Sequence, residues 1–275
     1  MIQGKYTVRD AHCHIYPEKI ASRAVNGTDT FYGLSSFGEG TVRHLLGVGE
    51  ESGIDGYLVQ SVATTPHQVS SINRFIAEEV NLYRGKMVGL GTLHPDSADI
   101  LGDVEEIEAL GLHGVKLHPD IQRFRADDDA CAEIYALCEK KGLPILMHAG
   151  DHRYDYSNPN RLAPVLASHP ALCMVAAHLG GWSVWEDAKE KLSGFSNLYV
   201  DTSSSFPFLM EGEAREIIEA FGVSHVLFAT DYPMWHPKGE IEYLLRLGFT
   251  DEEYKMLFSE NAKAVFGKEN FSSLI

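Results

Sequence analysis

Residues 9–18, RDAHCHIYPE, place Asp10, His12 and His14 at alternate positions just after the apolar start YTV. Alternate side chains of an extended strand project from one face, so these three would stand close together. Two imidazoles and a carboxylate are a ligand set that zinc prefers. A polar strand end with ordinary hydrogen-bonded histidines gives the same H-x-H pattern, so the rest of the chain has to decide.

Seven further short apolar segments follow: IDGYLVQSVA from Ile54, KMVGLGTLHP from Lys86, HGVKLHPD from His113, LPILMHAG from Leu143, LCMVAAHLGG from Leu172, NLYVDTSS from Asn197 and HVLFATDYP from His225. Between them apolar residues recur at helical spacing, as in Val69, Ile72, Phe75, Ile76, Val80 and Tyr83. Strands apolar on both faces that alternate with amphipathic helices describe a parallel sheet, and eight such units describe a (β/α)8 TIM barrel. The one long interruption, residues 15–53, is rich in Gly, Ser and Thr before a helix expected from Thr41. It follows the first strand and would lie over the catalytic face as a loop or lid. With no internal repeat or linker, a single domain over 1–275 is the economical reading.

Charge narrows the function classes. Lys plus Arg number 23 against 39 Asp plus Glu, a formal charge of −16, which repels nucleic-acid phosphates and anionic lipid surfaces. Cys13, Cys131, Cys138 and Cys173 show no C-x-x-C spacing and read as reduced thiols of a cytoplasmic protein. No uninterrupted apolar run reaches the ~18 residues of a membrane span, and the start of the chain lacks a signal-peptide pattern.

In a barrel the reacting groups come from the C-terminal ends of different strands. Those ends here carry His12 and His14 (first), Lys116 and His118 (fourth), His148 (fifth), His178 (sixth) and Asp231 (eighth). An unpaired polar group pointing inward after an apolar run costs roughly 2–7 kcal/mol. Each has an ordinary explanation: His148 as a core histidine, Lys116 paired with Asp120 or Asp201, Asp231 as a cap. A bound cation accounts for all of them with one cause.

As an ordered set, D-A-H-C-H, V-K-L-H-P, H-A-G, A-H-L-G-G and A-T-D-Y-P resemble the amidohydrolase superfamily, in particular the amidohydrolase-2 group that includes aminocarboxymuconate-semialdehyde decarboxylase and related lactonases. The resemblance runs from residue 8 to about 266, including the tail FSENAKAVFG. It implies that His12, His14, His148 and Asp231 hold one divalent metal, zinc by default, with manganese, iron or cobalt fitting the same ligands. It also implies that Asp231 serves as proton acceptor and donor, that His178 activates water or polarises the substrate, and that Lys116 neutralises a substrate carboxylate or oxyanion. In binuclear relatives a strand-4 lysine is carbamylated, so Lys116 and His178 are the candidates for a second metal, with a single metal as the expectation.

The loops after the strands offer His118, Arg123, His152, Arg153, Trp182 and Trp235 as substrate contacts. Arg suits carboxylates, which points to a small anionic substrate. The expected activity is metal-dependent hydrolysis of an amide, lactone or ester, with decarboxylation as the alternative and a non-catalytic barrel ranked last. A small molecule is the expected partner, and a homodimer the assembly to look for.

Overall fold

The computed structural model describes residue 2 and residues 4–267. Among these residues nine strands run in chain order: β1 (Arg9–His14), β2 (Gly56–Gln60), β3 (Met87–Gly89), β4 (Gly91–Thr92), β5 (Val115–Leu117), β6 (Ile145–Met147), β7 (Met174–Ala176), β8 (Leu198–Asp201) and β9 (Val226–Leu227). All ladders are parallel, in the orders β1-β2-β3 and β4-β5-β6-β7-β8-β9. The two sheets meet at Leu90. Its N–H donates to Val59 O at 3.0 Å, while the next N–H, of Gly91, donates to Gly114 O at 2.9 Å. β3 and β4 are therefore one stave that pairs with one neighbour by its first half and with the other by its second. Ala11 N–H donates to Phe228 O at 3.0 Å and joins β1 to the last strand. The result is the expected (β/α)8 barrel.

Side-chain alternation sorts the strand residues into two packed sets. Leu58, Val88, Leu146, Val175 and Leu227 belong to an inner cluster. Their neighbours Val59, Val115, Ile145, Met174 and Val226 pack with the helices outside. This two-faced burial is why the strands read as continuous apolar runs. Following the inner parity upward from Leu146 reaches His148, and from Leu227 through Ala229 it reaches Asp231. Lys116 pairs across the ladder with Leu146 and shares the inward direction. The site residues are thus the last inward-facing layer of the barrel, at the end where the strand-to-helix connections lie.

The interval between β1 and β2 holds two helices, α1 (Glu18–Tyr32) and α2 (Val42–Ser52). α2 begins where the sequence predicts, with the Thr41 hydroxyl accepting from His44 N–H at 3.2 Å. α1 is a correction to the expected loop. Its Gly and Thr residues are weak helix formers, but Ala21 and Val25, one turn apart, are buried and anchor the helix by packing. Gly33 ends it in the left-handed conformation, φ 67°. No helix among the described residues is long and apolar enough to cross a membrane.

Asn73, on α3 (Val69–Leu82), replaces ladder bonds beside the stave break: its amide donates to Thr92 O at 3.2 Å and accepts from Thr92 N–H at 2.7 Å. Asn73→Ala leaves both buried backbone groups unsatisfied, an expected loss of about 2–4 kcal/mol in urea unfolding with an unchanged m value. A loss below about 0.5 kcal/mol would show that the stave break does not depend on this amide.

Candidate active site

Three ligand atoms from the two ends of the sheet converge at the barrel mouth. His12 Nε2 lies 3.1 Å from His14 Nε2 and 3.4 Å from Asp231 Oδ1, and His14 Nε2 lies 3.5 Å from the same oxygen. β1 can present both histidines there because its register shifts between Asp10 and Cys13. Asp10, expected on the same face, instead accepts from Thr230 N–H and its hydroxyl and ties β1 to the chain after β9. Asp231 has a left-handed backbone, φ 58°, as does His178, φ 61°. Such conformations cost a non-glycine residue about 1–2 kcal/mol and persist only where surrounding bonds impose them. Ser204 Oγ holds Asp231 Oδ2 at 2.6 Å and is itself held by Trp235 Nε1 at 2.9 Å.

The protonation pattern suits a cation. The Asp201 carboxylate accepts from His12 Nδ1 at 2.9 Å, which leaves the His12 Nε2 lone pair facing Asp231 and His14. Burial first, then neighbouring charged groups, keeps His14, His118 and His148 well below the usual imidazole pKa. Burial likewise lowers His178 to about 4, so these rings are neutral, as ligation requires. Desolvation alone would raise Asp231, but His12, His178 and His14 outweigh it and hold the carboxylate ionised. Three electron-rich atoms 3.1–3.5 Å apart match the ~3.3 Å edge of a tetrahedron with 2.0–2.1 Å bonds. An octahedral ion with slightly longer bonds gives edges of similar size, so the donor set fits zinc and manganese alike.

His148, the fourth expected ligand, is not in this group. Its Nδ1 bonds His178 Nε2 at 2.9 Å and its Nε2 meets Gly150 O at 3.1 Å. It lies instead with His118 and Asp120, stacked on the His118 ring at 3.9 Å. That second trio is poorly prepared for a cation. His118 Nδ1 accepts from Ile121 N–H at 3.3 Å, so the neutral ring carries its hydrogen on Nε2, which meets Tyr32 OH at 2.8 Å. Lys116, fully buried, places Nζ 3.2 Å from His12 Nε2. Burial lowers it to about 8 against the upward pull of Asp231 and Asp201. An ammonium there and a divalent ion on His12 would repel, which favours the neutral amine.

A cavity of about 740 Å3 opens onto these groups, lined among others by Lys116, His118, His148, His178, Arg123 and Tyr32. Trp182 borders a smaller adjoining space. The remaining expected substrate contacts are engaged elsewhere: His152 bonds Ser183, and Arg153 forms a paired contact with Asp151 and stacks over Phe31. Asp201, Ser203, Ser204 and Tyr32 carry functional contacts that the motif reading did not single out. Alternation along NLYVDTSS, with Asp201 two residues after Tyr199, is a signal that could have found the first.

Glu240 on α4 (Pro237–Arg246) is buried with Oε2 unpartnered. Burial pushes its carboxyl up to about 8 from 4.5, with Asp10 and Asp231 adding repulsion. The folded chain holds this proton where the unfolded chain has lost it. This contribution is therefore complete below pH 4.5 and is lost as pH rises through 8, at about 1.4 kcal/mol per pH unit. Glu240→Gln should flatten the stability profile between those values and raise stability at pH 8, measured by denaturant unfolding across pH. Parallel profiles for the two proteins would contradict this.

Comparison with known proteins agrees with this architecture. A family model described as Amidohydrolase matches residues 10–268. No curated protein gives a significant sequence match. Among solved structures, an uncharacterised TIM-barrel protein from Bordetella bronchiseptica superposes with TM-score 0.78 at 21% identity, covering 94% of this chain and 98% of that one. The 5-carboxyvanillate decarboxylase of Sphingomonas paucimobilis gives TM-score 0.72 at 15% identity, covering 95% and 99%. A dihydroxybenzoic acid decarboxylase from a Polaromonas species, with bound manganese and the inhibitor 2-nitroresorcinol, gives 0.72 at 14%, covering 96% and 98%. The match over almost the whole length, on a barrel whose mouth gathers the motif residues, makes this chain a member of the amidohydrolase family and an enzyme.

Proposed function

We propose that this enzyme is a metal-dependent decarboxylase of a small carboxylic acid, with a single divalent ion held by His12, His14 and Asp231. The observation that carries the metal is the convergence of three ligand atoms within 3.5 Å, with the His12 tautomer held by Asp201. Decarboxylation is favoured over the hydrolysis first expected on two grounds. Asp231 is the one carboxylate lining the cavity among the described residues, set among histidines and Lys116, a surface suited to an acidic substrate. The structural relatives named as decarboxylases span nearly the full chain, and one of them holds manganese.

A divalent ion held by His12, His14 and Asp231 would supply Lewis acidity toward charge building on a substrate oxygen. Loss of carbon dioxide breaks one carbon–carbon bond, leaves its electron pair on carbon and requires a proton there. Asp231 is the proposed carrier of that proton: as a carboxylate it takes the proton of the substrate's carboxylic acid group, which departs as carbon dioxide, and passes it to the carbon that keeps the electron pair. Ser204 fixes its outer oxygen. Lys116 offers the substrate carboxylate a hydrogen-bond donor in either protonation state. His178, with Nδ1 beside Ser203 at 2.9 Å, orients the reacting group. The segment over the mouth, now seen to contain α1, is the proposed lid.

The test is turnover of manganese- or zinc-loaded enzyme against hydroxybenzoates, unsaturated acids and small lactones, read by mass spectrometry. Loss of carbon dioxide is the expected result, and gain of water in its place would return the assignment to hydrolysis. Asp231→Asn should lower turnover at least ~10²-fold while retaining more metal than the His12→Ala, His14→Ala double variant. Near-normal turnover would move the proton transfer to another group.

A further inference from the structure

We infer that the substrate is an elongated dianion: a reacting carboxylic acid at the His12–His14–Asp231 end, an apolar body, and a second anionic group bound at the cavity rim by Lys19, Arg23 and Arg123. The inference rests on the decarboxylase reading above and adds to it a second, distal subsite.

The rim is built by α1. Lys19, Ile20, Arg23, Ala24, Gly27 and Phe31 recur at intervals of one to four residues and all line the cavity, so one face of the helix forms its wall along most of its length. The helix ends at Tyr32, whose hydroxyl lies 2.8 Å from His118 Nε2 at the reacting end. Arg23 precedes Tyr32 by nine residues, about 14 Å along the axis. Ile72, Phe75 and Ile121 also line the cavity and supply the apolar stretch that a ligand body needs. A volume of about 740 Å3 is of the size that encloses drug-sized ligands, and a single substituted ring would leave much of it to water.

The charge at this rim is opposite in sign to the net charge of the chain. The chain carries −16 overall, and its surface cations commonly meet a carboxylate, as in Lys5–Asp251, Lys189–Glu216 and Arg246–Glu211. Lys19, Arg23 and Arg123 are exposed and form no ion pair among the described residues. Among the described residues, the only carboxylate in the cavity lining is Asp231. Three unpaired cations around the entrance of an otherwise acidic protein attract an anion and hold its charged end in water-exposed surroundings. Arg123 comes from the segment after β5, with φ 64°, so two separate elements contribute to the charge cluster.

The experiment is isothermal titration calorimetry at low ionic strength on the metal-loaded full chain, with benzoate, biphenyl-4-carboxylate and biphenyl-4,4′-dicarboxylate. The second acid adds the apolar body, and the third adds the distal anion. The dicarboxylate should bind about tenfold more tightly than biphenyl-4-carboxylate, as two or three exposed charge contacts allow. That ratio should fall toward one in the Lys19→Gln, Arg23→Gln double variant and in 0.5 M salt. Equal binding of the two biphenyl acids by wild type, or a ratio that survives the double variant, overturns the distal subsite while leaving the decarboxylase reading in place. Failure of all three acids to bind overturns the distal subsite, whereas the decarboxylase reading itself falls only if the loaded enzyme releases no carbon dioxide in the turnover screen.

Discussion

The organisation of the barrel mouth depends on one buried carboxylate. Asp201, at the end of β8, accepts from His12 Nδ1 at 2.9 Å with one oxygen. The other accepts from His178 N–H at 3.1 Å, from Ser203 N–H at 3.0 Å and from the Ser203 hydroxyl. Desolvation works against the charge, but His12, His178 and the Ser203 hydroxyl reverse the shift and hold the group below the usual carboxylate range. The same carboxylate therefore selects the tautomer of His12 and holds the turn that carries His178. A polar network of this kind stabilises only when each member is satisfied, and removing one partner leaves a charge in a dry site.

Around that anchor, backbone strain sits where chemistry is proposed. His178, Asp231 and Ser204 all have positive φ, at 61°, 58° and 49°. The bonds from Asp201 to His178 N–H and between Ser204 and Asp231 are what keep these conformations in place. The stiff barrel below, packed on both faces of every strand, supplies the rigidity. α1, anchored by the buried Ala21 and Val25, lines one side of the cavity. A rigid floor with a lightly anchored wall leaves the wall as the part able to adjust to a ligand.

The architecture was legible because it is written in apolar periodicity. All eight staves lie where the short apolar runs placed them, and the inward parity that delivers Lys116, His148 and Asp231 follows from alternation alone. Three features were not legible. The break at Leu90 is a matter of which neighbour each N–H finds, which leaves no trace in hydropathy. α1 was hidden by Gly27, Thr28 and Thr30, whose weak helix preference is overridden by the burial of Ala21 and Val25. The direction of the His148 ring depends on Gly150 O and His178, so the motif H-A-G announced a histidine without saying which partners it would choose. Arg153 and His152 misled for a related reason: loop side chains satisfy one another, and Asp151 and Ser183 were nearer partners than the cavity.

Whether a divalent ion occupies the point between His12, His14 and Asp231 is the question on which the chemistry rests. Anomalous diffraction from crystals grown with manganese answers it most directly. One strong peak is expected within ~2.3 Å of His12 Nε2, His14 Nε2 and Asp231 Oδ1, with His12 Nδ1 still on Asp201. A peak between His118, Asp120 and His148, or none at the His12–His14–Asp231 group at full manganese saturation, would contradict it.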